Sequence, residues 1–125
     1  MNPDAARTLF QSTLNSTGQA IAYPAGGTPE VTAFLAELAP GDETGWHSHP
    51  VPLLGYLLQG ELTVVQTTGE TRTVRVGEVS LESVGLIHNG KNTGAVPCKM
   101  IVFVVGQKDV PFTVRLQEGT TKFPN

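Results

Sequence analysis

A single cysteine, Cys98, leaves no partner for an internal disulfide, so the folded state has to be held by a core and not by covalent staples. Charge is scarce too: Asp, Glu, Lys and Arg make up 15% of the chain, the net charge is −3 at pH 7, and the pI is near 5.5. That balance gives no basic footprint for a nucleic-acid backbone or an anionic lipid surface, and neither is expected as a partner. No uncharged apolar run is long enough to cross a bilayer. The opening MNPDAARTLFQSTLNSTGQ has no apolar stretch suited to a secretory signal, so the cytoplasm is the expected compartment. Long segments with helical periodicity are missing as well.

Punctuation, by contrast, is plentiful: 14 Gly and 9 Pro in 125 residues, beside 39% hydrophobic content. Turn signals recur about every 8 to 12 residues, the spacing of a sandwich or barrel of short strands. Residues 1–20 are polar and weakly patterned, and are expected to form an extension with a short helix from about Asp4 to Leu14. Residues 21–125 are expected to form one all-β barrel. EVTAFLAELA, from Glu30, alternates in a way that suits a strand buried on both sides. TGWHSH, LLGYLLQ, ELTVVQT, TRTVRV, Val79–Glu82, Leu86–His88, KMIVFVV and PFTVRL supply the further strands, with TGE as a hairpin loop.

The chemistry sits with the histidines, of which there are three. In GWHSHPVPLLGYLLQG, His47 and His49 stand one residue apart at the mouth of an apolar run. On a strand they share a face, about 6.6 Å apart. Two imidazoles turned into a barrel need partners for their nitrogens, because burying an unpaired polar group is costly. A divalent cation would use a lone pair from each, provided both rings are neutral. Two separately hydrogen-bonded histidines are the plainer alternative. His88 bears on that choice, for it lies in GEVSLESVGLIHNGKN, a second turn-rich stretch.

Together the two stretches resemble the signature motifs of the cupin superfamily. In the first, residues 41–60, Gly41, His47, His49 and Gly60 stand at that family's spacings. In the second, residues 77–92, Gly77, Gly85, His88 and Asn92 do. The resemblance implies a small jelly-roll barrel, or double-stranded β-helix, with His47, His49 and His88 on one divalent metal ion. GWHSHPVPLLGY is similar to a bacterial one-domain subgroup with no assigned reaction. Small cupins commonly pair, which implies a homodimer, with the N-terminal twenty residues packed on a neighbouring subunit.

Two positions depart from the pattern. Ser83 stands where the family usually has Pro, and Leu53 where it has its metal-binding Glu. A three-His centre without a carboxylate suits Fe, Ni, Zn or Cu better than Mn or Mg, which favour oxygen donors. Among cupins it resembles the centres of thiol dioxygenases and β-diketone-cleaving dioxygenases, which implies a mononuclear oxygenase acting on a small chelating molecule. Leu53, with Val51 and Tyr56 as further pocket candidates, makes the surroundings apolar and suits a partly apolar ligand. No residue is assigned as a catalytic base. Arg72 and Arg75 lie on opposite faces of one strand, so only one can point inward. The alternative function is a non-catalytic binding module for sensing, storage or stiffening. A metal-free isomerase would need an acid–base pair that the sequence does not display. Trp46 and Met100 read as core or contact residues, and Cys98 as a buried inert thiol.

Overall fold

The computed structural model of this protein describes residues 5–117 and 119. In chain order the strands are β1 (Pro29–Leu38), β2 (His47–Ser48), β3 (Leu53–Gln59), β4 (Glu61–Gln66), β5 (Thr71–Arg75), β6 (Val79–Leu81), β7 (His88–Lys91), β8 (Cys98–Gln107) and β9 (Val114–Arg115). They form two sheets, β1-β8-β3-β6 and β5-β4-β7-β2-β9, and every pairing is antiparallel. This is the all-β jelly-roll expected from the sequence. No helix among the described residues is long and apolar enough to cross a membrane.

Alternation places the core. Leu53, Gly55 and Leu57 of β3 face inward with Met100, Val102 and Val104 of β8, and Leu62 and Val64 of β4 close the other side. Leu57, Val64 and Val104 are fully buried. Truncating Leu57 to Ala would cost about 2–5 kcal/mol.

β1 departs from the expected two-sided burial. Phe34, Ala36 and Leu38 face inward, whereas Val31 and Leu35 are exposed. β1 is the edge strand of its sheet, with only that sheet's inner face covered. Its apolar alternate positions therefore form an outer surface.

The expected N-terminal helix is absent over residues 5–14; Asp4 lies outside the described residues. The segment instead folds against the barrel's own edge. Ser16 N donates to Leu81 O (2.9 Å) and Leu81 N to Ser16 Oγ (3.1 Å). Val84 N donates to Gln19 Oε1 (3.0 Å) while Gln19 Nε2 donates to Val84 O (3.1 Å). These bonds cover the open edge of β6, which would otherwise offer its backbone to another chain.

Candidate metal centre

His47 of β2 and His88 of β7 are directly paired across antiparallel strands, so their side chains rise from the same face. His49 follows two residues after His47 and joins them. The ring centroids are 4.4 Å apart for His47–His88, 4.8 Å for His47–His49 and 5.1 Å for His49–His88. All three residues are buried.

Each ring is oriented by a backbone carbonyl. Nδ1 of His47 donates to Gly45 O (2.6 Å), that of His49 to Phe112 O (2.8 Å), and that of His88 to Leu86 O (3.0 Å). A carbonyl only accepts, so each Nδ1 carries the hydrogen, and the neutral rings keep their lone pairs on Nε2. Gly45 is itself fixed, since its N–H donates to Asn89 Oδ1 (3.1 Å). Asn89, next in chain to His88, thus holds the carbonyl that orients His47. Gly85 ties the two motifs together: its N–H donates to His49 O (2.9 Å), at a φ of 77° that glycine adopts without strain.

One nitrogen from each ring lies within 4.8 Å of the other two. Three nitrogens at about 2.1 Å from one ion stand roughly 3.0–3.6 Å from one another, so the widest pair would draw in by about 1 Å or somewhat more to share it. Among the described residues, His88 Nε2 is buried without a hydrogen-bond partner. An orphaned acceptor costs free energy that a cation would recover. The residues present therefore fit a divalent metal ion.

Electrostatics favour neutral rings. Burial, together with the neighbouring His88 and His49, pushes His47 down to about 4, and burial likewise lowers His49. Both are therefore uncharged near neutrality, with the proton on Nδ1 and Nε2 free for a metal.

The trio opens on a cavity of about 80 Å³ whose walls include Phe34, Leu53, Leu62, Met100 and Val102, with Thr113 and Arg115 as polar members. Leu53 lines this space. Val51 is buried in the core but does not line the cavity. Tyr56 alternates onto the outer face of β3, opposite Leu53, and takes no part in it. Arg72 turns inward and Arg75 is exposed. Cys98 is buried, and burial raises its thiol, as suits an unreactive side chain.

The residue that the sequence reading missed is Glu82, just after β6. Its carboxylate lines the cavity, with Oε2 3.5 Å from His88 Nε2. Burial opposes its charge, but His88, Arg72 and the other two imidazoles outweigh that and hold it below the usual carboxylate range. A signal was available, for Glu82 is the only Asp, Glu, Lys or Arg between Glu78 and Lys91. An acid alone inside VSLESVGLI is poorly explained as a solvated turn residue.

Comparison with known proteins agrees with this architecture. The family model for the cupin domain matches residues 34–105. Germin-like protein subfamily 2 member 2 of Arabidopsis thaliana is 34% identical over 83 residues, covering 62% of this chain but only 38% of the plant protein. An uncharacterised protein with a double-stranded β-helix domain from Klebsiella pneumoniae superposes with a TM-score of 0.60 at 19% identity, covering 78% of this chain and 86% of its own. Oxalate decarboxylase of Bacillus subtilis, which has Mn(II) centres, superposes with a TM-score of 0.55 at 24% identity, over 69% of this chain and 24% of that one. At these identities the structural likenesses concern the fold.

Proposed function

The chain belongs to the cupin domain family, and we propose that its His47, His49 and His88 hold one divalent metal ion on which a small, chelating, partly apolar molecule is bound and oxygenated. The observation that carries this reading is the set of three buried imidazoles, each Nδ1 occupied by a carbonyl, with His88 Nε2 left without a hydrogen bond. The imidazole-rich donor set suits Fe(II), Ni(II), Zn(II) or Cu(II) over Mn(II) or Mg(II). The ion would supply Lewis acidity and a template for substrate and dioxygen.

The chain's own residues do the rest. Gly45, Leu86 and Phe112 carbonyls fix the ring tautomers. Leu53, Leu62 and Val102 exclude water from the apolar side of the cavity, while Thr113 and Arg115 offer a polar side to an anionic or carbonyl group. The cavity's size and apolar walls favour a few-carbon ligand over a sugar. One observation favours a non-catalytic binder instead: the carboxylate beside His88 is already engaged by Arg72 and Ser80.

Metal analysis of protein purified without an affinity tag tests the site. One equivalent of Fe, Ni or Zn is expected, lost in His47→Ala and in His88→Ala; tag-free protein that neither retains nor takes up such an ion overturns the reading. Oxygen consumption by the Fe(II)-loaded protein over small diketones, thiols and phenols then separates oxygenase from binder.

A further inference from the structure

We propose that Glu82 is the fourth protein ligand of this metal centre, its carboxylate delivered from the end of β6 instead of from β3. This rests on the metal reading above and adds a residue to it.

The first argument is the meeting of two potential metal-ligating atoms. His88 Nδ1 is occupied by Leu86 O, so Nε2 is the ring nitrogen left to face the cavity. Facing it at 3.5 Å is Glu82 Oε2, and no hydrogen bond joins the two. A cation held by both atoms would engage two potential ligands that no hydrogen bond joins. Neighbouring ligands at about 2.1 Å from one ion stand roughly 3.0–3.5 Å apart, the separation observed here.

The second argument is where the carboxylate comes from. Glu82 N donates to Leu53 O at 2.8 Å, continuing the β3–β6 ladder in which Leu54 pairs with Leu81. Residues 53 and 82 are thus lateral neighbours whose side chains share a face, and both line the cavity. A carboxylate at 82 therefore reaches the space beside Leu53, which has no donor to give.

Its neighbours aim it. Arg72 Nη2 donates to Oε2 (3.3 Å) and Ser80 Oγ to Oε1 (3.2 Å), while Arg72 Nη1 donates to Ser80 Oγ (2.8 Å). Side chains that orient a ligating carboxylate in this way serve as its outer support. With three neutral imidazoles, one carboxylate reduces the net charge of a divalent centre from +2 to +1.

Binding of Mn(II) and Co(II) to metal-stripped protein, followed by calorimetry and by the visible spectrum of the Co(II) form, tests the assignment. Glu82→Gln is expected to weaken both ions at least about tenfold, Mn(II) more than Co(II), and to shift the Co(II) bands. Glu82→Asp keeps the charge and withdraws the oxygens by one methylene, so a ligand role predicts weakened binding there too. Leu53→Glu/Glu82→Leu, which returns a carboxylate to the same face, is expected to recover most of the loss. Wild-type protein that binds both ions while Glu82→Gln and Glu82→Asp match it within twofold, with unshifted Co(II) bands, overturns the fourth-ligand assignment and leaves the three-His reading standing. Wild-type protein that binds neither ion overturns both.

Discussion

A histidine buried beside two others carries a penalty that depends on pH. His47 sits at about 4 in the folded protein, below its ordinary 6.5, because burial and two neighbouring imidazoles disfavour its charge. Between those values the unfolded chain binds a proton that the folded chain does not, so stability falls as pH drops from 6.5 towards 4 and is unaffected by this group above 6.5. The shift corresponds to about 3 kcal/mol. His49 is lowered by burial and acts in the same direction. Glu82, held below the carboxylate range, contributes stability present above its unfolded value and lost below it, so it adds to the loss only at the acid end. The urea midpoint of the metal-free protein should therefore decline through this window, and His47→Gln should flatten the decline. An equal slope in that variant would show that His47 does not carry the effect. Metal binding holds the rings neutral, so the loaded protein should keep its midpoint to lower pH.

At the scale of elements, the glycines of the two motifs differ in what they tolerate. Gly60 links β3 to β4 at a φ of 78°, and a Cβ there would lie 2.8 Å from Pro97 O and 3.1 Å from Cys98 Cα. Both are backbone atoms that cannot swing aside. Gly85 has a similar φ of 77° but nothing within 4 Å of the missing Cβ. Gly60→Ala should therefore cost about 2–4 kcal/mol, summing backbone strain and clash, whereas Gly85→Ala should cost only the backbone share of about 1–2 kcal/mol. Thermal unfolding of the two variants measures the difference; equal losses would mean that the contact with Pro97 relaxes freely.

The same scale shows what could be read in advance. LLGYLLQ coincides with β3 because Pro52 and Gly60 bound it on both sides. The meeting of His47 with His88 was legible through motif spacing alone, since no local pattern reports a contact across 41 positions. β2 is much shorter than TGWHSH suggested, because the chain around it is held by side chains such as Asn89 and not by a ladder. The facing of β1 was misjudged: alternation says that two faces differ, but which of them meets the core depends on the partner sheet. Glu82 escaped notice for a related reason. Its proximity to Leu53 is a matter of strand pairing, and the motif pattern gives that position no role.

The whole molecule presents an apolar outer sheet that the barrel does not cover. In β1, Val31, Ala33 and Leu35 pair with Val105, Phe103 and Ile101 of β8, and Phe103 and Ile101 pair in turn with Leu54 and Tyr56 of β3. Residues opposite one another across antiparallel strands point the same way, so these side chains form one continuous surface. Val31 is 71% exposed, Leu35 55% and Phe103 44%. Apolar positions scattered singly are ordinary on a soluble protein, but a contiguous set spanning three strands is the kind of patch that a partner covers. A second copy of this chain is the partner we propose, because a contiguous apolar sheet face can meet its own copy about a two-fold axis with no further element. Sedimentation of the wild-type protein at tens of micromolar should give a dimer. Leu35→Lys/Phe103→Lys places charge where the two sheets would meet and should shift that equilibrium to monomer with an unchanged far-ultraviolet spectrum, since neither side chain faces the core. The centre around His88 opens on the inner side of the sheets, away from this surface, so the monomeric variant should still bind its metal with wild-type stoichiometry. A wild-type protein that sediments as a monomer would show that the face is not an interface between copies of the chain.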